Sequence, residues 1–398
     1  MSEQSVLELL SAEGLRLLDS LPAYGSVDPL RLSADLRKAG HPAGLIAAAL
    51  TQSRLRERAR IKFGEFADRM LFTEAGLEQA TRLSVAATHA GRFAHAEPRR
   101  VVDLGCGIGG DALALAALDL PVLAVERDAV TATVAAFNLA PFPSAEVRSG
   151  DAEETTLDPD DAVFLDPARR TVGAGRGRRL APDDWSPSLD FCFRVARDHA
   201  TAIKLAPGFD RNELPPDVEA QWITAGGETV ELVLWSGSLR RPGVSRSALV
   251  LGSHGSAELT AAEDSADAEV TTLGRYLFEP AGAVIRARLI GQLARTIGAG
   301  MVSPDIAYLT GDAPVDSPLL SAFEIGAVLP LDERTIAREL RSRGIGRLEI
   351  KKRGVDIDPA VFRKRLGLSG RGEATLILTR VAGGRAAILA TRVPVTAA

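Results

Sequence analysis

Short apolar runs alternate with helical patterns through the middle of the chain. Seven such runs predict β-strands, at residues 100–105, 121–126, 145–150, 162–167, 201–207, 229–236 and 245–252. Apolar residues at helical spacing predict helices between the early runs, over Gly110–Leu118 and Ala129–Leu139. This alternation indicates an α/β fold with a parallel sheet covered on both faces. A short connector, GSLRRPG, joins the last two runs, so we expect those two strands to pair antiparallel.

Different patterns flank this central part. Leucines recur at helical spacing near the N-terminus, and further helices are predicted over 42–70 and 74–90. The segment 253–272 is small and acidic, which predicts a linker. Beyond it we predict helices at 283–297, 333–343 and 359–366, a strand at 347–352, and a hairpin of 374–381 with 386–393. The expected organisation is an N-terminal helical region (1–96), a sheet domain (97–252), the linker (253–272) and a smaller C-terminal α+β domain (273–398).

Composition narrows the class of protein. A chain of 398 residues is too long for one ordinary core. Its longest apolar run, Ala43–Leu50, is far short of a membrane span, and the acidic, amphipathic start does not resemble a secretion signal. Two cysteines and five histidines show no metal-binding spacing. We therefore expect a cytoplasmic protein with no membrane partner and no metal.

The charge is unevenly distributed. The chain carries a net charge of −5, yet residues 340–398 contain 13 Lys and Arg against 4 Asp and Glu. A basic region on an acidic protein indicates contact with nucleic acid, or equally a solvated surface.

One loop carries the clearest chemical signal. Residues 103–110, DLGCGIGG, follow a predicted strand and open a predicted helix. The glycines allow the backbone to approach a ligand closely. Gly105, Gly107 and Gly110 also match the dinucleotide pattern GxGxxG, which alone is weak evidence in a chain with 37 glycines.

Acidic residues at three successive strand ends distinguish the possible ligands. Asp103 would repel the pyrophosphate of a dinucleotide but suits the cationic ammonium and sulfonium of S-adenosylmethionine; alternatively it only caps the turn. Glu126 can accept both ribose hydroxyl protons, and Asp151 is placed to accept from the adenine amine. The predicted cofactor-binding residues are Asp103, Gly105, Gly107, Gly109, Asp111, Glu126, Asp151 and Ala152.

The fourth strand ends in Asp166-Pro167-Ala168-Arg169-Arg170. Together with VVDLGCGIGGDALALAA, VLAVERD and SGDAEE, this segment resembles the class I methyltransferases, whose seven-stranded Rossmann-like sheet ends in an antiparallel hairpin. The Asp-Pro tetrad is similar to their (Asn/Asp)-Pro-Pro-aromatic motif, which implies methyl transfer to an exocyclic nitrogen. The stretch GIGGDALALA is similar to the glycine loop of RNA cap guanine-N2 methyltransferases.

More of the chain resembles a bacterial methyltransferase group that has a DPARR motif and a C-terminal THUMP-like domain. The carrying motifs are KLAPGFD at 204–210 and RYLFEP at 275–280, and the resemblance covers roughly residues 60 to 395. It implies that the C-terminal domain is THUMP-like.

The reacting end needs specific groups. A planar amine loses lone-pair conjugation as it attacks a methyl group, and two acceptors for its protons favour that geometry. Asp166 and the Pro167 carbonyl are our candidates. Arg169 stands where related families have an aromatic residue; its guanidinium can stack on a base or hold a phosphate, which leaves the acceptor atom open.

Two further features of the reacting end have open interpretations. Lys204, at the end of the fifth predicted strand, either contacts substrate, pairs with Asp166 or extends to the surface. The loop from Arg169 to Arg179 is either a flap that grips substrate phosphates or a solvated loop; it contains Arg169, Arg170, Arg176, Arg178 and Arg179.

The favoured hypothesis is an S-adenosylmethionine-dependent methyltransferase acting on guanine N2 in tRNA or rRNA. The C-terminal cations would grip RNA phosphates: Lys351, Lys352, Arg353, Arg363, Lys364 and Arg365. The alternatives are a methyltransferase for a small molecule or protein, and a non-catalytic RNA-binding protein of this fold. Carbon-5 pyrimidine chemistry is not expected, because Cys192 lies on a predicted buried helix face and no Pro-Cys pair exists.

Overall fold

The computed structural model describes residues 3–169, 185–252 and 255–394, and the chain divides into two units. The first unit contains residues 1–205, 212–218 and 233–241, and the second contains 206–211, 219–232 and 242–398. No helix in the described ranges is long and apolar enough to cross a membrane.

The strands of the first unit are β1 (Arg100–Leu104), β2 (Val122–Glu126), β3 (Ala145–Ser149), β4 (Asp161–Leu165), β5 (Ala168–Arg169), β6 (Trp185–Ser186) and β7 (Ala200–Leu205). Five of those described strands form a parallel sheet in the order β7–β4–β1–β2–β3, and β5 pairs antiparallel with β6. In β1, β2 and β4 nearly every residue is buried, because helices cover both faces. The predicted parallel α/β sheet is confirmed.

The helices of the first unit are α1 (Glu3–Leu9), α2 (Ala12–Ser20), α3 (Pro29–Lys38), α4 (Ala43–Phe63), α5 (Glu74–Gln79), α6 (Leu83–Ala96), α7 (Gly110–Ala116), α8 (Ala129–Leu139) and α9 (Leu189–Asp198). The helix predicted over 74–90 is interrupted at residues 80–82. Lys62 on α4 explains the break, since its ammonium donates to the carbonyls of Leu77, Glu78 and Ala80 at 2.7–2.8 Å. These bonds satisfy carbonyls that a helix end leaves without partners.

Two buried amide side chains attach the N-terminal helices to the parallel sheet domain. Gln52 exchanges hydrogen bonds with the backbone of Phe72, at 2.7 and 3.0 Å. Asn138 on α8 exchanges hydrogen bonds with the backbone of Leu71, at 2.8 and 3.0 Å, and also donates to the carbonyl of Ile108 at 2.9 Å. The short stretch around Leu71 and Phe72, just before α5, is thus held from both sides, because its buried backbone groups need partners.

The second unit begins with β8 (Glu219–Ala225), β9 (Glu228–Trp235, whose last three residues belong to the first unit), β10 (Arg246–Gly252) and β11 (Gly255–Ala261). Two predictions are wrong here. β10 does not pair with β9 in a hairpin, because β8 (parallel) and β11 (antiparallel) flank it. The linker predicted over 253–272 contains β11. The expectation of seven sheet strands therefore lacked β8 and β11.

Both omissions have a physical reason. β8 is buried along its whole length, yet Glu219 and Gln221 interrupt the apolar run that marks a buried strand. β11 has few large apolar residues, and its pairing with β10 holds it in place. Glu258 on β11 accepts hydrogen bonds from Gln221 and Ser247, each at 2.6 Å.

A separate sheet occupies the C-terminal part of the second unit, with strands β12 (Tyr276–Pro280), β13 (Gly300–Met301), β14 (Leu309–Gly311), β15 (Leu320–Pro330), β16 (Ile345–Lys352), β17 (Gly372–Val381) and β18 (Gly384–Arg392). Its order is β13–β14–β12–β15–β18–β17–β16, antiparallel except for the β16–β17 pair. The helices are α10 (Gly282–Arg286), α11 (Ile290–Ile297), α12 (Glu333–Ser342) and α13 (Pro359–Leu366).

The C-terminal predictions are confirmed for α12, α13, β16 and the β17–β18 hairpin. The single helix predicted over 283–297 is wrong, because the chain turns at Arg288, whose φ of +60° ends α10 before α11 begins. α12 and α13 pack their apolar side chains, among them Ile336, Leu340 and Leu366, on one face of the sheet.

Candidate active site

The glycine loop predicted from the sequence follows β1 and leads into α7. Gly105, Gly107 and Gly109 have φ values of +88°, +57° and +83°, a region that residues with a Cβ rarely adopt. The Gly107 N–H donates to one oxygen of Glu126 at 3.1 Å, and the Asp128 N–H donates to the other at 2.9 Å. Glu126, at the end of β2, therefore faces the loop and fixes its shape.

Asp103 lies on β1 directly before this loop and is 1% exposed. Neither of its carboxylate oxygens accepts a hydrogen bond from any described residue. Burial raises the pKa of the Asp103 carboxyl well above its usual range, and the negative charges of Asp111 and Asp166 raise it further. A buried carboxylate without donors is costly unless a ligand supplies positive charge or N–H groups. The site thus fits a cationic ligand.

Asp111, on α7, is also buried but has protein partners. It accepts from the Thr81 hydroxyl at 2.6 Å and from His89 Nδ1 at 2.9 Å. Burial alone would raise the pKa of Asp111, but the His89 bond, the Lys204 charge and the Thr81 bond together lower it. The structure places this predicted cofactor-binding residue in an internal hydrogen-bond network.

Asp166 follows β4, and β4 pairs with β1 so that Leu165 is opposite Leu104. This register puts the start of the Asp-Pro motif beside the start of the glycine loop. The Lys204 ammonium, at the end of β7, donates to Asp166 at 2.5 Å and to the Thr81 hydroxyl at 2.9 Å. The Asp166 side chain is 33% exposed, against 13% for Lys204. Of the interpretations open for Lys204, its pairing with Asp166 is confirmed.

The other predicted site residues occupy the same strand ends. Asp151 is exposed after β3 and accepts from the Glu153 N–H at 2.9 Å, while Ala152 is buried beside it. Pro167 is buried after β4, and Arg169 lies in β5, opposite Trp185 on β6. The proposed arginine flap lies, from Arg170 onward, outside the described residues.

The sequence interpretation missed Thr81, His89 and Lys62. Thr81 and His89 lie in a segment predicted as one uninterrupted helix, where a threonine and a histidine carry no chemical signal. Lys62 lies in a charged helical run where it looks like a solvated residue. The available signal was rarity, since the chain has only six lysines and two of them, Lys62 and Lys204, are here. Burial, followed by the nearby charge of Lys204, lowers the pKa of Lys62 to about 8.

Both cysteines are buried. Burial raises the pKa of Cys192 to about 12 and that of Cys106 well above its usual range. Thiols of this kind are poor nucleophiles, in line with the expectation that the chemistry uses no cysteine. No group of three or more His, Cys, Asp or Glu residues within the described ranges is arranged to hold a metal ion.

The C-terminal cations expected to contact RNA fall into two groups. Lys351 and Arg353 approach Glu279, at 2.7 and 3.9 Å, and Arg353 lies 5.2 Å from the ring centre of Tyr308. Their charge is partly neutralised inside the domain. The other cations of the set are exposed: Lys352, Arg363, Lys364 and Arg365.

A parallel sheet with a glycine loop after its first strand, and acids at the ends of neighbouring strands, is a Rossmann-like arrangement, and the buried Asp103 in it fits a cationic ligand. The chain is 34% identical over 339 residues to an uncharacterized S-adenosylmethionine-dependent methyltransferase of Mycobacterium tuberculosis H37Rv. That alignment covers 83% of this chain and 91% of the relative, and the relative from strain CDC 1551 matches equally.

The chain therefore belongs to this family of S-adenosylmethionine-dependent methyltransferases, and S-adenosylmethionine is its cofactor. A solved structure from Porphyromonas gingivalis W83, assigned as a methyltransferase, shares the fold with a TM-score of 0.77 at 22% identity, covering 98% of this chain and 99% of that one. Residues 320–392 match the family model described as THUMP domain-like, and residues 3–59 match a domain of unknown function, DUF8688.

Proposed function

We propose that the protein methylates an exocyclic nitrogen of an RNA base, guanine N2 being favoured, in tRNA or rRNA. The observation that carries this proposal is the placement of Asp166 beside the glycine loop, with its carboxylate held by Lys204 at 2.5 Å. A carboxylate at this point is suited to accept a proton of an amine that is about to be methylated. The THUMP-like match over residues 320–392 supports RNA as the substrate class.

The proposed binding roles follow from the contacts. Asp103 would pair with the positive charge of the cofactor, because its oxygens have no donor among the described residues. Glu126 accepts one hydrogen bond from each of two backbone N–H groups, and its carboxylate has further lone pairs that could accept from the ribose hydroxyls. Asp151, with Ala152 beside it, would contact the adenine.

The bound cofactor supplies an electrophilic methyl group. Asp166 and the Pro167 carbonyl would each accept a hydrogen bond from one N–H of the target amine, which turns its lone pair out of conjugation and toward the methyl carbon. Methyl transfer would replace the sulfur–carbon bond with a new nitrogen–carbon bond, and the surplus proton of the nitrogen would pass to the Asp166 carboxylate. Lys204 keeps the Asp166 carboxylate in place during this step. Arg169 would contact the base or a neighbouring phosphate.

The test is tritium transfer from labelled S-adenosylmethionine to total RNA from a strain that lacks this gene and from the parent strain. We expect label only in RNA from the deletion strain, and digestion with mass spectrometry to identify N2-methylguanosine. The D166N variant should lose about 100-fold or more in rate, while D160N, which changes an exposed aspartate before β4, should match the wild type. Label in protein or small molecules, with none in RNA, would contradict the proposal.

A further inference from the structure

We infer that Thr81, supplied by the N-terminal helices, is a positioning residue for methyl transfer: it fixes the Lys204 ammonium against Asp166. This inference rests on the proposed function, because it assigns Asp166 to the reacting end. It adds a residue from outside the parallel sheet and the strand-end motifs.

The Thr81 hydroxyl makes two bonds of opposite direction. It donates to Asp111 at 2.6 Å and accepts from Lys204 at 2.9 Å. Because Asp111 is a carboxylate whose pKa is lowered by its donors, it can only accept, and this fixes the direction of the hydroxyl proton. The lone pair of Thr81 then necessarily faces Lys204. A lysine has three rotatable donors on a flexible stem, so such an acceptor decides where its ammonium sits.

The backbone before Thr81 is held independently. Lys62 donates to the carbonyls of Leu77, Glu78 and Ala80 at 2.7–2.8 Å, and α5 ends at Gln79, two residues before Thr81. Gly76 keeps α5 close to the glycine loop, since a Cβ there would lie 2.3 Å from a methyl carbon of Ile108. Thr81 is 6% exposed, so water does not substitute easily for its hydroxyl. The Lys62 hydrogen bonds and the close packing at Gly76 thus fix the position of Thr81, and the Thr81 hydroxyl in turn positions the Lys204 ammonium.

The proposed role depends on the hydroxyl of Thr81 and not on the size of its side chain. T81V keeps the shape and removes both bonds, whereas T81S keeps the hydroxyl. T88V is a matched control, because the Thr88 hydroxyl on α6 donates to the Val85 carbonyl at 2.7 Å and takes no part in the bonds that join Thr81, Asp111 and Lys204. We expect T81V to lower kcat on total RNA of the deletion strain about 10- to 100-fold, with the Kd for S-adenosylmethionine changed less than about threefold. T81S should restore activity to within about threefold of the wild type.

A second measurement does not depend on the RNA substrate. With only six lysines, the full-length protein labelled with ¹⁵N-lysine gives a simple ammonium spectrum. Lys62, Lys204 and Lys351 are the expected slowly exchanging signals, because all three donate inside the protein. T81V should shift or broaden the Lys204 signal and leave the Lys62 signal in place, and K204M identifies the former.

The outcomes separate the two proposals. An unchanged Lys204 signal in T81V, or a kcat loss no larger than in T88V, would overturn the role of Thr81. Failure of T81S to restore kcat would also overturn it. If the wild type transfers no label to RNA, the proposed function fails, and the lysine spectrum still decides whether Thr81 positions Lys204.

Discussion

Two regions of this protein concentrate charge and use it in opposite ways. At the strand ends of the first unit, Asp103 is buried without a hydrogen-bond donor from the described residues, and Asp166 keeps a third of its side chain exposed. On the C-terminal sheet, charges meet partners: Lys351 lies 2.7 Å from Glu279, and Arg392 lies 3.2 Å from Glu349. The first region leaves Asp103 without a protein donor, whereas the second pairs much of its charge internally.

The difference shows what a charge count along the sequence measures. An excess of positive charge beyond residue 340 predicts a basic surface, but Lys351 and Arg353 are half-buried beside Glu279. Conversely, a single acid in an apolar strand adds little to a charge count, yet the buried Asp103 carboxylate is costly without a ligand. The presence or absence of a protein partner is therefore more informative than the number of charges.

The largest expected effect that tests this contrast is loss of cofactor binding in D103N. Removing one partner of a buried charge pair costs about 2 to 4 kcal/mol, which is about 30- to 1000-fold in Kd. Isothermal titration with S-adenosylmethionine measures it, with D160N as the control. Equal affinity in D103N and wild type would remove Asp103 from the cofactor site.

D111N should instead act on stability. Asp111 accepts from Thr81 at one oxygen and from His89 at the other, and asparagine replaces one of these oxygens with an NH2 donor. We expect the free energy of unfolding to fall by about 2 to 3 kcal/mol in urea titrations. D128N is the control, because asparagine caps α8 about as well as aspartate. A fall no larger than in D128N would count against the network.

A smaller effect is expected from pH, with opposite signs for the two aspartates. The raised pKa of Asp103 means that its contribution to stability is present below the unfolded-state pKa and is lost as pH rises through the folded-state pKa. D103N without cofactor should thus unfold at a higher temperature than wild type at pH 7. Asp111, with its lowered pKa, contributes stability above the unfolded-state pKa that is lost on acidification. Thermal melts from pH 3 to pH 8 test both directions.

The smallest expected effect is a change in the salt dependence of RNA binding, caused by substitutions in the C-terminal domain. Replacing Arg363 and Lys364, which are exposed on α13, should reduce the slope of log affinity against log salt by about 0.7 for each RNA phosphate that the variant no longer binds. K351M should leave the slope unchanged, because Glu279 already pairs with that lysine. Filter binding to total RNA at increasing salt measures both slopes, and equal slopes in the two variants would erase the contrast between paired and exposed cations.

Much of the fold could be predicted because apolar runs mark buried strands directly. The seven strands predicted between residues 100 and 252 all lie within one or two residues of β1, β2, β3, β4, β7, β9 and β10. β8 and β11 were not predicted, because both depend on contacts with other strands. In β8 the polar residues Glu219 and Gln221 are buried, and β11 is held by its pairing with β10. Periodicity records what each segment buries by itself and contains no information about hydrogen bonds made across the fold.

The same distinction separates the residues of the candidate active site that could be predicted from those that could not. Asp103, Glu126 and Asp166 were predictable, since parallel strands bring their carboxyl ends to one edge of the sheet. Thr81 was not, because the break between α5 and α6 is made by Lys62, which is fifteen to eighteen positions away from the carbonyls that it binds. Asp111, predicted as a cofactor-binding residue, accepts hydrogen bonds from Thr81 and His89 inside the fold.

The hydrogen bonds that Gln52 and Asn138 make to the backbone have a consequence for how this chain can be recombined with other proteins. Because these amides fasten the segment around Leu71 and Phe72 to α4 and α8, and because Asn138 also holds the Ile108 carbonyl, the N-terminal helices are not an exchangeable appendage. A gene fusion that replaced them would leave buried backbone groups unsatisfied next to the glycine loop. We therefore expect shuffling and truncation libraries to yield folded proteins only when Gln52, Asn138 and the backbone segment that they bind, around Leu71 and Phe72, are kept together.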